Sequence, residues 1–170
     1  LYAVLRPGDT LFAITGKPYD TLEEAIGISG TPGHGSLKDF RIEYCEAELT
    51  SNGLPDFDEI RKVLTSKKIR AVEIQRSKGY GWRPTYSAEY IGEIVKFVKD
   101  ISPDTICIVD NCYGEFVDAH EPTYYGADLI AGSLIKNPGG GLALTGGYIA
   151  GRHDLIELCA YRLTCVGIGK

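Results

Sequence analysis

Short apolar runs rich in β-branched residues alternate along this chain with segments of helical periodicity. Thr10–Thr15 (TLFAIT) follows the turn Arg6-Pro7-Gly8-Asp9 and predicts a strand. Asp20–Ile28 predicts a helix, with Asp20 or Thr21 as N-cap and Glu23 and Glu24 in the first turn. Ile42–Leu49 predicts a second strand, and Asp56–Thr65 a helix with Ile60, Val63 and Leu64 on one face. Ile69–Gln75 predicts a third strand. Ser87–Asp100 predicts an amphipathic helix, opened by Ser87, stopped ahead of Pro103, with Ile91, Ile94, Val95 and Val98 turned inward. Thr105–Asp110 (TICIVD) is nearly all apolar, as expected of a strand covered on both faces. Asp128–Gly132 and Tyr148–Ala150 predict two more strands.

This alternation implies an α/β fold: a mostly parallel sheet flanked by helices, joined by right-handed crossovers. Ligands of such sheets bind beyond the carboxyl ends of the strands. That rule singles out Tyr19 after the first strand, Gln75–Ser77 after the third, Asp110–Tyr113 after the fourth and Ser133–Lys136 after the fifth. The chain shows no internal repeat, low-complexity tract or linker.

Composition narrows the function classes. The 170 residues suit one domain with a real core, and 44% apolar with 24% charged residues is an ordinary globular balance. A net charge of −5 with scattered Lys and Arg sets nucleic acid aside. The five cysteines (Cys45, Cys107, Cys112, Cys159, Cys165) are odd in number and form no C-x-x-C pair. This argues against a disulfide framework or a zinc site and fits a reducing cytoplasm. His34, His120 and His153 are too far apart to suggest a metal site. No apolar run approaches the ~20 residues of a membrane span, and no signal peptide is visible. There is no methionine. Leu1–Leu5 reads as the end of a helix already under way, and Gly167–Lys170 closes without a cap, so the expectation is a fragment.

Asp110 ends the most apolar strand, where a poorly solvated carboxylate needs a partner; a capping role or a metal remains an alternative. Lys136 lies between Leu134-Ile135 and Asn137-Pro138-Gly139-Gly140-Gly141. An apolar run meeting a glycine loop is a place to desolvate an amine, and the neutral amine is the nucleophile that forms a Schiff base. The alternative is a solvated surface lysine. Gly139–Gly141 is not a phosphate-binding P-loop, because Lys136 precedes its glycines. Cys112 reads as a buried structural cysteine.

Val109-Asp110-Asn111, Gly126-Ala127-Asp128, Ser133-Leu134-Ile135-Lys136 and Gly146-Gly147 stand in order, with GKPYDT and IQRSKGY upstream. Together they resemble the methionine gamma-lyase-like aluminium resistance protein family. That family lies in the cysteine/methionine-metabolism branch of fold-type I pyridoxal-phosphate (PLP) enzymes. The resemblance runs through essentially the whole chain. It implies that residues 1–170 are the central part of the large, aspartate-aminotransferase-like PLP-binding domain. A phosphate-binding turn would precede Leu1, and a C-terminal small domain would follow Lys170. By resemblance, Lys136 holds the cofactor as a Schiff base and later moves the α-proton, and Asp110 pairs with the pyridinium nitrogen. Ser133 meets the phosphate, Tyr19 stacks on the ring, and Tyr113 meets the ring oxygen. The branch places an Asn-Pro pair after the third strand; this chain departs from it, leaving Gln75 or Ser77 for that contact. Arg76 or Lys78 either faces the phosphate or substrate carboxylate, or is a solvated loop charge. The function implied is β- or γ-elimination on a sulfur-containing amino acid by a carbon–sulfur lyase. An aminotransferase and a catalytically silent family member are the alternatives. A homodimer or homotetramer is implied, with a neighbouring subunit completing the site.

Overall fold

The computed structural model describes residues 1–164; Cys165 and Gly167–Lys170 lie outside the described residues. Six strands, β1 (Thr10–Ala13), β2 (Glu43–Glu46), β3 (Ala71–Gln75), β4 (Ile106–Asp110), β5 (Leu129–Ser133) and β6 (Gly147–Gly151), make one sheet in the order β2-β1-β3-β4-β5-β6. All neighbours pair in parallel except β5 and β6, which run antiparallel with Ser133 opposite Gly147. The architecture is therefore the mostly parallel α/β sheet expected from the alternation of patterns. The parallel strands deliver Ala13, Glu46, Gln75, Asp110 and Ser133 to one edge of the sheet.

The period-2 alternation of each strand divides its side chains between two cores. Phe12, Val72, Ile74, Cys107, Val109 and Ile130 face α2 (Phe57–Ser66) and α3 (Ala88–Ile101). Leu11, Ala71, Ile106, Ile108 and Leu129 face α1 (Asp20–Ile26), α4 (His153–Leu163) and the Ala3–Leu5 turn. Leu5 N–H donates to the Leu1 carbonyl at 3.1 Å, so the chain opens on a single helical turn.

Two helices start where polar residues can take up free amides. Asp56 caps α2 by accepting from Asp58 and Glu59 amides, and Ser87 caps α3 by accepting from the Tyr90 amide. α1 differs from expectation. Tyr19 is the capping position and makes no side-chain cap bond; Asp20 turns instead to the Thr21 amide. α1 also stops at Ile26, because Gly27 takes φ 93° and closes the helix in the left-handed region. β2 ends at Glu46, and Leu49 pairs instead with Pro55 in an isolated bridge. α4 escapes the sequence pattern, since only Leu155 and Cys159 are fully buried on it. Among the described residues no helix is long and apolar enough to cross a membrane.

Asp128 ties the sheet to both of its flanking layers. Its Oδ2 accepts from the Cys107 amide at 2.7 Å and pairs with Lys99 of α3 at 2.7 Å, and Oδ1 pairs with Arg152 at the start of α4 at 2.9 Å. The carboxylate is 4% exposed. Asp128→Ala should cost about 3 kcal/mol, since it leaves the buried Cys107 amide without a partner and takes the counter-charge from Lys99, which keeps only the Thr105 and Pro103 carbonyls. Chemical denaturation checks this, and a loss under about 1 kcal/mol would contradict the assignment.

Candidate active site

The carboxyl ends of β3, β4 and β5 surround a cavity of about 360 Å³, lined by Glu73, Asp110, Cys112, Ser133, Gly146 and Leu22 among others. Asp110 is the last residue of β4 and is partly buried. Its Oδ1 accepts from the Cys112 amide at 3.0 Å, which turns the chain sharply into the Tyr113 loop. Ser133 ends β5, and its Oγ accepts from the Ile135 amide at 3.3 Å. Lys136 then heads a short 3-10 turn, Asn137–Gly139. A Cβ on Gly139 would collide with the Leu134 carbonyl, so only glycine lets the loop fold back here.

Lys136 Nζ lies 4.3 Å from the centre of the Tyr113 ring and 6.0 Å from that of Tyr19. The amine is thus held between two aromatic faces, beside Cys112 and Asp110. Its charge state differs from expectation. Burial pulls the Lys136 ammonium down, but the Cys112 thiol, Tyr113 and Asp110 outweigh it, and the group sits above the ordinary lysine range. The expected apolar, neutral-amine setting is replaced by a ring of acceptors that favours the cation. Cys112 is also corrected. It is half-buried on the cavity wall, and burial followed by the Asp110 charge pushes its thiol up, with Lys136 pulling the other way.

Tyr19 and Tyr80 lie 5.5 Å apart at 31° with their hydroxyls 3.3 Å apart, and this bond, with burial, pushes the Tyr19 phenol up to about 12. Tyr19 lines a second cleft of about 380 Å³ together with Gln75, Tyr80 and Arg83. Gln75 Nε2 donates to the Ser77 carbonyl at 3.1 Å, while its Oε1 is buried without a partner. Ser77 lies with Tyr19 and Tyr113 around an adjoining hollow of about 250 Å³. Tyr113 is exposed and takes φ 68°, a left-handed conformation unusual for an aromatic residue; Asn137 Nδ2 donates to its carbonyl at 3.1 Å.

Arg76 faces neither a phosphate nor solvent. It is 1% exposed and bonds Asp118 at 2.6 Å, Glu121 at 3.3 Å and Asn111 Oδ1 at 2.7 Å. Asn111 Nδ2 continues the network to Glu121 and to the Tyr148 hydroxyl on β6. Gly114 makes room for this guanidinium, because a Cβ there would overlap it. Lys78 is exposed, with its amine 5.8 Å from the Trp82 ring.

The structure therefore brings Lys136, Asp110, Ser133, Tyr19, Tyr113, Gln75 and Ser77 to one edge of the sheet. Sequence reasoning missed two residues. Arg83 donates through Nη2 to the Gln75 and Ser77 carbonyls at 3.1 and 2.6 Å, and its buried Nη1 has no partner. Glu73 is buried on the cavity wall with neither oxygen hydrogen-bonded. A lone carboxylate in the run Ala71-Val72-Glu73-Ile74-Gln75 was the available signal.

The sequence profile of the methionine gamma-lyase family matches residues 1–170. The Bacillus subtilis (strain 168) protein YnbB is 55% identical over all of this chain and 40% of its own length. A crystal structure from Listeria innocua, named as a candidate cystathionine beta-lyase involved in aluminium resistance, superposes with TM-score 0.95 at 58% identity. It covers 100% of this chain and 41% of that one. One from Clostridium novyi NT, named a carbon–sulfur lyase involved in aluminium resistance, superposes at 0.92 with 54% identity, over 99% of this chain and 40% of that one. The chain thus spans about two fifths of the length of these relatives. A PLP-dependent aminotransferase from Streptococcus suis 89-1591 shares the fold at TM-score 0.65 and 18% identity, covering 92% of this chain and 39% of that one.

Proposed function

We propose that this chain, which belongs to the methionine gamma-lyase family, carries the cofactor-binding centre of a PLP-dependent carbon–sulfur lyase acting on a sulfur-containing amino acid. The observation that carries the reading is the meeting of Lys136, Asp110 and Ser133 at the carboxyl edge of a parallel sheet, with Lys136 between the Tyr19 and Tyr113 rings. The names of the relatives from Listeria and Clostridium support the lyase class. On this reading the chain is the central part of a larger PLP-binding domain, and the relatives it matches are longer than it is.

The residues fit the cofactor. A cavity of about 360 Å³ lies within the usual range of small-molecule sites, which begins near 300 Å³. It offers a carboxylate, a hydroxyl and a nearby amine, and the adjoining cleft presents the unpartnered Gln75 Oε1 and Arg83 Nη1. Lys136 Nζ would hold the cofactor covalently, and once freed would take the substrate α-proton as general base. Asp110 would keep a proton on the ring nitrogen. When bound, the ring supplies a sink for the electron pair left at the α-carbon, so that a thiol can depart from the β- or γ-carbon. Tyr19 would cover the ring face, and Ser133 would donate to the phosphate. Tyr113 and either Gln75 or Ser77 would face the ring oxygen. Trp82, Leu144, Leu142, Tyr80 and Phe116 are all at least 80% exposed, which supports a second copy of the protein covering apolar surface in a homodimer or homotetramer. The four described cysteines are free, which supports a reducing, cytoplasmic setting.

Borohydride reduction of the full-length protein loaded with PLP, followed by peptide mapping, tests the reading. The pyridoxyl label is expected on Lys136; a label elsewhere, or none, overturns it. Release of thiol, ammonia and keto acid with no second keto acid separates elimination from amino transfer. Asp110→Asn should retain cofactor attachment and lower kcat by about 10²-fold or more, because the carboxylate that holds the ring proton is gone. Unchanged turnover in that variant would remove Asp110 from the chemistry.

A further inference from the structure

Glu73 is the central residue of β3 and the only ionisable side chain on that strand. Its register neighbours are Ala13 on β1 and Ile108 on β4. It is 2% exposed, and both carboxyl oxygens are buried without a hydrogen-bond partner. An ionised carboxylate in that position would be strongly disfavoured, so the group takes a proton. Asp110 stands two residues beyond Ile108 on the same face of the sheet, and both carboxyl groups line the same cavity of about 360 Å³.

We propose that Glu73 is a positioning residue of this site: a neutral carboxylic acid whose O–H reaches Asp110 across the cavity through one water. Asp110 is then the single anion of the pair, aimed at the place where a cationic ring nitrogen would sit; this step rests on the cofactor reading above. The groups facing Glu73 agree with that division. Burial first, and then the Asp110 charge, push its carboxyl up to about 8, with Arg83 pulling the other way. Arg83 is committed through Nη2 to the Gln75 and Ser77 carbonyls. From β2 come Tyr44 and Glu46, bonded to each other, and burial holds the Tyr44 phenol well above its usual range. Burial and the Asp110 charge push the Cys112 thiol up, while Ala13 of β1 and Leu22 of α1 carry no charge. Arg83 is the facing cation that favours the Glu73 anion, and burial together with the Asp110 charge outweighs it.

The test uses the full-length protein, as wild type, Glu73→Gln, Glu73→Leu and Asp110→Asn. Infrared spectra of the cofactor-free protein report the acid directly. A protonated-carboxyl band is expected at about pH 6, absent from Glu73→Gln and fading in wild type with a midpoint of about 8. In Asp110→Asn that midpoint should move to lower pH, because a like charge has been removed. Absence of the band in wild type, or an unmoved midpoint in Asp110→Asn, overturns the proposal. With PLP added, the wild-type cofactor absorbance should change over the same pH range. Glu73→Gln keeps a donor and should bind PLP within about threefold of wild type while losing that pH step; Glu73→Leu should bind about tenfold more weakly. Equal affinity and an equal pH step in wild type and Glu73→Gln would overturn the proposal even if Glu73→Leu does not fold. A wild-type protein that takes up no PLP defeats the cofactor reading, while the infrared arm still decides whether Glu73 and Asp110 form the pair.

Discussion

Replacing Lys136 by alanine is expected to abolish covalent capture of PLP and to lower turnover by at least about 10³-fold, because on the proposed reading one amine would serve as both attachment point and general base. The fold should survive. Lys136 is only partly buried, and its contacts are the faces of two tyrosine rings, one of them mostly exposed, and the Cys112 thiol. Circular dichroism and the denaturation midpoint should therefore match wild type, while the absorbance of the bound cofactor shifts to that of the free aldehyde. Added primary amines should restore part of the proton transfer, since the cavity left between Tyr19 and Tyr113 admits a small base. Turnover within tenfold of wild type would remove Lys136 from the centre of the site.

The second large effect concerns stability against pH. The Glu73 carboxyl rises from an ordinary 4.5 to about 8 on folding. Between those two values the folded chain holds a proton that the unfolded chain has released. Stability from this group is therefore complete below about 4.5, falls as pH rises, and is gone beyond about 8. The slope reaches about 1.4 kcal/mol per pH unit, so a few kcal/mol accumulate across the window. Glu73→Gln removes the titrating group, and its stability should lie nearly flat over the same range. Denaturant midpoints of both proteins at about pH 5, 6.5 and 8 measure the difference, and parallel curves would show that Glu73 does not titrate in this window.

The legible parts of this chain are those governed by neighbours in sequence. α2 and α3 begin within one residue of expectation, because Asp56 and Ser87 are strong caps ahead of clean apolar stripes. The cap of α1 falls one residue before Asp20, since Tyr19-Asp20-Thr21 offers adjacent polar candidates and the backbone turns at the tyrosine. α4 was missed because its inward stripe rests on two fully buried positions, Leu155 and Cys159, with Tyr161 and Leu163 turned outward. The positions of the candidate residues were legible as strand ends: an apolar run closing on Asp110, and another closing on Ser133 before a glycine loop. What was not legible depends on segments distant in sequence. The charge of Lys136 is set by Cys112, Tyr113 and Asp110. The fate of Arg76 is set by Asn111, Asp118 and Glu121, 35 to 45 residues away.

The antiparallel return of β6 has a consequence for the lysine loop. Ser133 stands opposite Gly147, and the Leu134 amide donates to the Gly146 carbonyl at 3.0 Å, so both ends of the segment carrying Lys136 are clamped by the sheet. The entropy of bringing those ends together is thereby met by strand pairing, and lengthening such a loop costs little, about 0.6 kcal/mol for each doubling. The exposed stretch around Gly140–Leu144 is accordingly where insertions and sequence drift can accumulate while Ser133 and Lys136 keep their places.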